Sequence, residues 1–393
     1  MLAPVLDLDV EPRNPIVGTR SFGADPQRVG RLARAWIEAC QGEGAAACAK
    51  HFPGHGRTTA DSHDVLPRVA AGRAELEVDV RPFAAVADVV ASVMTAHVAY
   101  PALGSERPAT LEPAILEGLL RDRLGFEGIV VTDAMNMSGF ADAAAGGPDD
   151  PTGAAAALLA GCDLLLYPAD LEAAAAALDR AATHSTRVGD RVEASLRRLE
   201  ETARRVRPRG GSPRPSLAEG ADPLAEELAR DAVRVVGTPP AWLAAGRPVR
   251  VATVWDDRTV ASRSPFGEPF REALRARGWR IAGDAEAGAP VLLLVASTPQ
   301  GWKGTASLTA AGRASVVAIR EAAPTSWPVA LGHARLLPEL GDGGGLVGWG
   351  TEEAMERAAA ARLDEAVRTA PGGRGVGGAG AAGSRVDGDG DHG

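Results

Sequence analysis

Gly128-Ile129-Val130-Val131-Thr132-Asp133 is apolar at successive positions and ends in a hydroxyl and a carboxylate. Consecutive apolar residues suit a parallel strand covered on both faces, and the C-terminal end of such a strand is where α/β folds expose their chemistry. Working outward, residues 3–8, 45–50, 89–96 and 162–166 have the same character. Between these runs, residues 29–40, 112–121 and 171–182 read as helices. The βα rhythm predicts a barrel or an open doubly wound sheet, with the polar motifs at the C-terminal strand ends.

Beyond residue 207 the composition changes. Residues 208–216 are dense in Pro, Gly and Arg, which suits an exposed connection. Residues 222–233 read as a helix, with Asp222 as N-cap and Pro223 in its first turn. Strands are expected at 249–255, 291–296, 327–331 and 345–348, and helices at 270–277, 307–320 and 352–367. This is a second α/β unit of open-sheet type. The division is therefore a first domain over 1–207, a linker over 208–220, a second domain over 221–370, and a Gly-rich tail over 371–393 whose composition predicts disorder.

Composition narrows the function. The 393 residues carry 42 basic and 51 acidic side chains, a formal charge of -9, which argues against a general nucleic-acid binder. Three cysteines make no disulfide framework; Cys40, Cys48 and Cys162 read as small buried hydrophobes. No run of about 20 apolar residues offers a membrane span. The chain opens directly on a strand with no leader, which on its own places it in the cytoplasm; a signal segment further upstream would instead lead to secretion or lipid anchoring.

The densest polar stretch is Lys50-His51-Phe52-Pro53-Gly54-His55-Gly56 followed by Asp61-Ser62-His63, with three of the seven histidines inside thirteen positions. Asp61 and His63 make an oriented acid/base pair, because a carboxylate fixes the imidazole tautomer. Two alternatives stand beside that. The histidines could cap backbone groups in a structural loop, or His51, His55, Asp61 and His63 could hold a metal, although a Pro-Gly turn cannot align an i, i+4 pair. Asp133 suits a nucleophile or charge stabiliser, or equally the cap of the next helix, and Asn136 follows it. His97 and Asp163 are weaker candidates, and Arg20 is a lone guanidinium that could grip hydroxyls.

These motifs together resemble glycoside hydrolase family 3, in its β-N-acetylhexosaminidase branch, whose members trim N-acetylglucosamine during cell-wall recycling. The resemblance rests on Lys50 to Gly56 with Asp61-Ser62-His63 and on Val131-Thr132-Asp133-Ala134-Met135. It also rests on Ala3-Pro4-Val5-Leu6-Asp7, the Asn14 to Gly23 stretch and Met94-Thr95-Ala96-His97. It implies a TIM-type (β/α) barrel followed by an α/β sandwich, and retaining release of terminal β-linked N-acetylhexosamine. Asp133 would be the nucleophile, His63 the general acid/base and Asp61 its orienting partner, with Arg20, Lys50 and His51 binding the sugar. No metal or organic cofactor is implied. The expected partner is a small carbohydrate or muropeptide-derived substrate, not nucleic acid. The rival functions are a glycoside phosphorylase, another β-glycosidase specificity, or an inactive or truncated carbohydrate-binding protein.

The resemblance also implies two barrel strands ahead of Ala3, the second ending in an acidic-Gly-Gly loop. The sequence begins after both, so the expectation is a barrel open at its front, with exposed edge groups and an activity below that of an upstream-extended form.

Overall fold

A computed structural model describes residues 1–144, 152–206, 218–244, 246–256, 265–283, 288–298 and 307–370, with positions 286, 303 and 305. The Pro-Gly-Arg stretch over 208–216 and the tail over 371–393 lie outside the described residues.

In the first half, β1 (Cys48–Phe52), β2 (Ser92–Thr95) and β3 (Ile129–Val131) form a parallel sheet in that order. Residues 3–8 flank β1 without becoming a strand. Leu6 N–H donates to the Lys50 carbonyl (2.6 Å) and Cys48 N–H to that of Ala3 (2.8 Å), but only Val5 and Lys50 form a bridge. Pro4 has no N–H to continue the ladder. On the far side, residues 162–166 also reduce to one bridge, Val131 to Leu164, because the Asp163 carboxylate takes the Val130 N–H (3.0 Å). Five parallel segments thus lie side by side as a barrel-like arc.

The helices around the arc are α1 (Pro26–Gly42), α2 (Arg73–Ala84), a π-helix over Ala114–Arg123, α3 (Ser138–Ala144), α4 (Ala154–Ala160), α5 (Leu171–His184) and α6 (Thr186–Arg205). Asp25 caps α1 by accepting the Arg28 N–H (2.6 Å), and Pro26 fills its first position. Alternate strand residues separate by face. Ala49, Val93 and Val130 join the main cluster under the helices, whereas Cys48, Met94 and Val131 form a small cluster on the inner side. Cys48 and Cys162 are buried as expected, but Cys40 is only half-buried at the end of α1, where its thiol faces the Ala45 carbonyl.

The second half begins with α7 (Ala218–Ala232), which starts four residues before the expected cap. Asp222 is not the N-cap, and Pro223 lies within the helix. Near a helix start the missing N–H of a proline forfeits a single bond, so the helix tolerates it there. Next come β4 (Arg234–Val236), β5 (Pro248–Trp255), α8 (Glu268–Arg275), β6 (Arg280–Ile281), β7 (Val291–Ser297), α9 (Ala310–Ala322), β8 (Ser326–Gly332), α10 (Leu337–Leu340), β9 (Gly345–Gly348) and α11 (Glu353–Thr369). The strand order is β4-β9-β8-β7-β5-β6, parallel except for the β4 edge. All seven residues of β7 are buried. Leu292, Leu294 and Ala296 face Phe270, Leu274 and Leu363, and Val291, Leu293 and Val295 face Val316, Leu336 and Leu340. The sheet is therefore covered by helices on both sides.

Asp163, a candidate on sequence, proves to be a packing hub. Its carboxylate is fully buried and meets Arg121 (2.7 Å), Arg198 (3.0 Å) and Arg191 (3.3 Å), and also accepts the Ser195 hydroxyl (2.9 Å). It ties the π-helix, β3 and α6 together. Removing one partner of a buried ion network strands the others. Asp163→Ala is expected to lower unfolding free energy by about 3–5 kcal/mol in a denaturant titration, and Asp163→Asn by less.

Candidate active site

The site is assembled at the C-terminal ends of the arc. The segment at residues 3–8 delivers Asp7, β1 delivers Lys50 and His51, the loop after β2 delivers His97, and the loop after β3 delivers Asp133. The Lys50–His51 and Phe52–Pro53 peptide bonds are cis.

Asp7 is wholly buried and its carboxylate accepts from three groups of the next loop: His51 N–H (3.1 Å), His55 N–H (2.7 Å) and His51 Nδ1–H (2.6 Å). Burial pushes its pKa up, but the His51 and His55 contacts outweigh that and hold it at about 2. With Nδ1 spent on Asp7, the other ring nitrogen of His51 lies 3.9 Å from Asp133 Oδ2. Sequence reasoning attached no role to Asp7, although it ends its apolar run just as Asp133 does, and that position was the available signal.

Asp133 is 19% exposed, enough for a substrate to reach it. Its Oδ1 accepts the Ala134 N–H (2.8 Å). Burial raises the Asp133 carboxyl, yet His51, the Ala134 N–H and Lys50 help bring it below the ordinary carboxylate value, so it is ionised at neutral pH. Lys50 is half-buried, and burial and then the nearby Arg20 guanidinium lower its pKa against the pull of Asp133. Arg20 is exposed and donates to the Ile16 carbonyl (3.0 Å). The structure thus groups Arg20, Lys50, His51 and Asp133, while Asn136 lies exposed beyond them.

His63 stands apart on the exposed loop after β1. Its Nδ1 donates to Asp61 Oδ1 (2.6 Å), and that oxygen also accepts the His63 N–H (2.9 Å). Asp61 is buried whereas the His63 ring is 47% exposed, so Nε2 is left free at the mouth. The Asp61 hydrogen bond, opposed by partial burial and helped by Asp133, raises the His63 pKa above 6.5. The loop is fastened to the start of α3 by Gly139 N–H to the Ser62 carbonyl (3.1 Å) and Ser138 N–H to the His63 carbonyl (3.3 Å). A Cβ at Gly139 would come 2.8 Å from the Ser62 and Val65 carbonyls, so only glycine fits.

His55 and His97 are scaffolding. His55 contacts Thr58 Oγ1 (2.8 Å) and Ser62 Oγ (3.2 Å) through its two ring nitrogens. His97 Nε2 donates to the Ala134 carbonyl (3.1 Å) and its Nδ1 meets Thr110 Oγ1 (2.7 Å), which pins the peptide after Asp133. Burial lowers both to a pKa of about 4, so both are neutral at pH 7. With both His55 nitrogens engaged, and Nδ1 of His51 and His63 each held by a carboxylate, the metal-ligand alternative has no convergent donor set among the described residues. Asn14 is buried and was not assigned a role from sequence. It donates to the His55 carbonyl (2.9 Å) and accepts from Val17 N–H (2.8 Å), stitching the Arg20 loop to the histidine loop.

A family model for the N-terminal domain of glycosyl hydrolase family 3 matches residues 1–202. The chain belongs to glycosyl hydrolase family 3. This family 3 chain is 42% identical over 180 residues to a β-hexosaminidase of Chromobacterium violaceum, an overlap covering 44% of this chain and 49% of that one. It thus spans about half the length of that curated relative. Among solved structures, a β-N-acetylglucosaminidase from Paenibacillus sp. str. FPU-7 matches with a TM-score of 0.73 and 28% identity, over 93% of this chain and 74% of that one. The β-glucoside phosphorylase BglX matches with a TM-score of 0.78 over 93% of this chain and 72% of that one, and at 19% identity it bears on fold alone. Both likenesses extend beyond the arc and match a barrel-like domain followed by a sheet-containing one.

The geometry of the His63 pair fixes its titration. NMR should place its midpoint above 6.5, and Asp61→Asn should bring it down, because the charge that favours imidazolium is gone.

Proposed function

We propose that the chain is a retaining glycoside hydrolase that releases terminal β-linked N-acetylhexosamine by double displacement. The observation that carries this is the pairing of an ionised, reachable Asp133 with an exposed His63 whose Nδ1 is bound to buried Asp61. The specificity rests on the relatives' names, β-hexosaminidase and β-N-acetylglucosaminidase. We also take residues 1–207 as the catalytic domain, part of a TIM-type (β/α) barrel. The parallel order of the five segments and the site at their C-terminal ends support that topology. Residues 221–370 form an accessory α/β sandwich.

In the first step Asp133 attacks the anomeric carbon. His63 gives the Nε2 proton to the departing glycosidic oxygen, leaving a glycosyl-aspartate. In the second, neutral His63 takes a proton from water, which displaces Asp133 and restores both groups. A raised pKa keeps more of His63 protonated at neutral pH, and Asp61 holds the tautomer that leaves Nε2 for the exchange. Lys50 and Arg20 clamp sugar hydroxyls, and His51 keeps Asp133 ionised. Phosphate in place of water would make the reaction a phosphorolysis, and a product assay with and without phosphate separates the two.

Asp133→Ala should abolish nearly all turnover and keep a cooperative melt, and a 2-fluoro or 5-fluoro sugar inactivator should label Asp133 in a peptide digest. Labelling at Asp61 would overturn the assignment.

His63→Ala should lose most rate on substrates with poor leaving groups, while good leaving groups retain the first step and accumulate glycosyl-enzyme. Azide should accelerate its turnover. Equal losses across leaving groups would make His63 structural.

A further inference from the structure

One carboxylate ties the two halves of the chain together. Asp9 follows Asp7 by two residues, and its Oδ2 takes a hydrogen bond from His333 Nε2 (2.8 Å) while its Oδ1 pairs with Arg335 Nη2 (2.8 Å). His333 and Arg335 follow β8, so the C-terminal end of a second-half strand meets the C-terminal end of the first segment of the arc. Arg335 Nη1 also reaches the Glu11 carbonyl (3.3 Å). The His333 and Asp9 side chains are 8% and 14% exposed, so water screens the contact weakly.

The tautomer of His333 follows from its partners. Its Nδ1 accepts the Arg335 N–H (3.1 Å) and so carries no proton; the ring proton lies on Nε2 and is donated to Asp9. Trp349 stands edge-on to the ring at 5.0 Å and covers it. One side chain thus caps its own turn and grips the other half.

What is gripped is the segment that carries Asp7. Asp9 N–H donates to the Gly23 carbonyl (3.0 Å), and the Ser21 hydroxyl donates to the Asp7 carbonyl (2.6 Å). The Leu8 carbonyl lies so close to Gly56 that a Cβ there would collide with it. Residues 7–9 therefore cannot shift without moving both Asp7, which holds His51, and the turn that follows His55.

We propose that Asp9, His333 and Arg335 are positioning residues for the reaction, through which the second half sets Asp7 and thereby the His51 ring beside Asp133. The second half would then serve catalysis with no group of its own on the substrate. The kinetic consequence rests on the glycosidase reading; the structural consequence does not.

The test uses the full chain with Asp9→Ala, His333→Ala, His333→Gln and the Asp9→Ala/His333→Ala double variant. On a chromogenic N-acetylglucosaminide each alanine variant should lower kcat about tenfold with KM within about twofold. The double variant should be no worse than Asp9→Ala alone, since both remove one interaction. His333→Gln, whose amide can still donate to Asp9, should recover most of the rate. Additive losses, a lowered melt with unchanged kcat, or no rescue by Gln would overturn the proposal. Hydrogen exchange at the His51 and His55 amides, both bonded to Asp7, should quicken at least tenfold in the alanine variants whether or not the wild type is active. Unchanged exchange at those two amides would overturn the proposal, and an inactive wild type with quickened exchange would instead sink the glycosidase reading.

Discussion

The mouth of the arc depends on one buried anion. Asp7 is wholly buried, and a lone carboxylate there would cost several kcal/mol. It persists as an anion because three N–H groups of the neighbouring loop converge on it, and each of those bonds fixes something. The two amides set the path of the loop through His51 and His55. The ring bond orients the His51 ring and aims its other nitrogen toward Asp133. The loop in turn has no freedom to retreat, since the Leu8 carbonyl fills the space a side chain at Gly56 would need. Fold and site are thus settled by the same few atoms.

Four histidines of one site illustrate how surroundings divide one side-chain type among tasks. His55 and His97 are enclosed with both nitrogens engaged, and burial keeps them neutral. They act as two-armed struts, His97 on the peptide after Asp133 and His55 on the turn before His63. His51 and His63 each give Nδ1 to a carboxylate, but one ring is buried beside Asp133 and the other is half in solvent. Partner and exposure separate the roles, much as environment separates paired carboxylates in the active sites of hydrolases.

Much of this was legible in the sequence, and the exceptions have physical causes. Continuous apolar runs marked β2, β3, β5, β7, β8 and β9, and β1 three residues early, because covered parallel strands need no alternation; the short edge strands β4 and β6 carry no such run. The flanking segments at 3–8 and 162–166 lost strand character to a proline without a donor and to an Asp163 side chain that competes for a ladder bond, neither of which periodicity reveals. Pro223 inside α7 and the π-helix over Ala114–Arg123 are likewise not visible in periodicity. At the site, Asp133, Asp61 and His63 were singled out from residue type and position, and Lys50 and His51 through the family resemblance, whereas Asp7, Asn14 and Gly139 matter through partners distant in sequence. The Asp9 contact joins residues more than three hundred positions apart, which no local pattern can announce.

The loop bearing His63 is held differently from everything around it. Asp133 is fixed by a strand end, a buried histidine and its own neighbouring amide, while His63 rides on an exposed turn fastened to α3 by two backbone bonds. Lengthening such a turn costs little, since loop closure grows only slowly with length and no core residue need repack. In the proposed mechanism, the bond-forming half of the chemistry is thus anchored in the part of the molecule least free to vary, and the proton-handling half in a part that can be rebuilt. On that mechanism, a lineage carrying this architecture can alter which leaving groups it accepts by editing the exposed positions around His63, such as Asp64 and Val65, without reopening the question of how the barrel-like half folds.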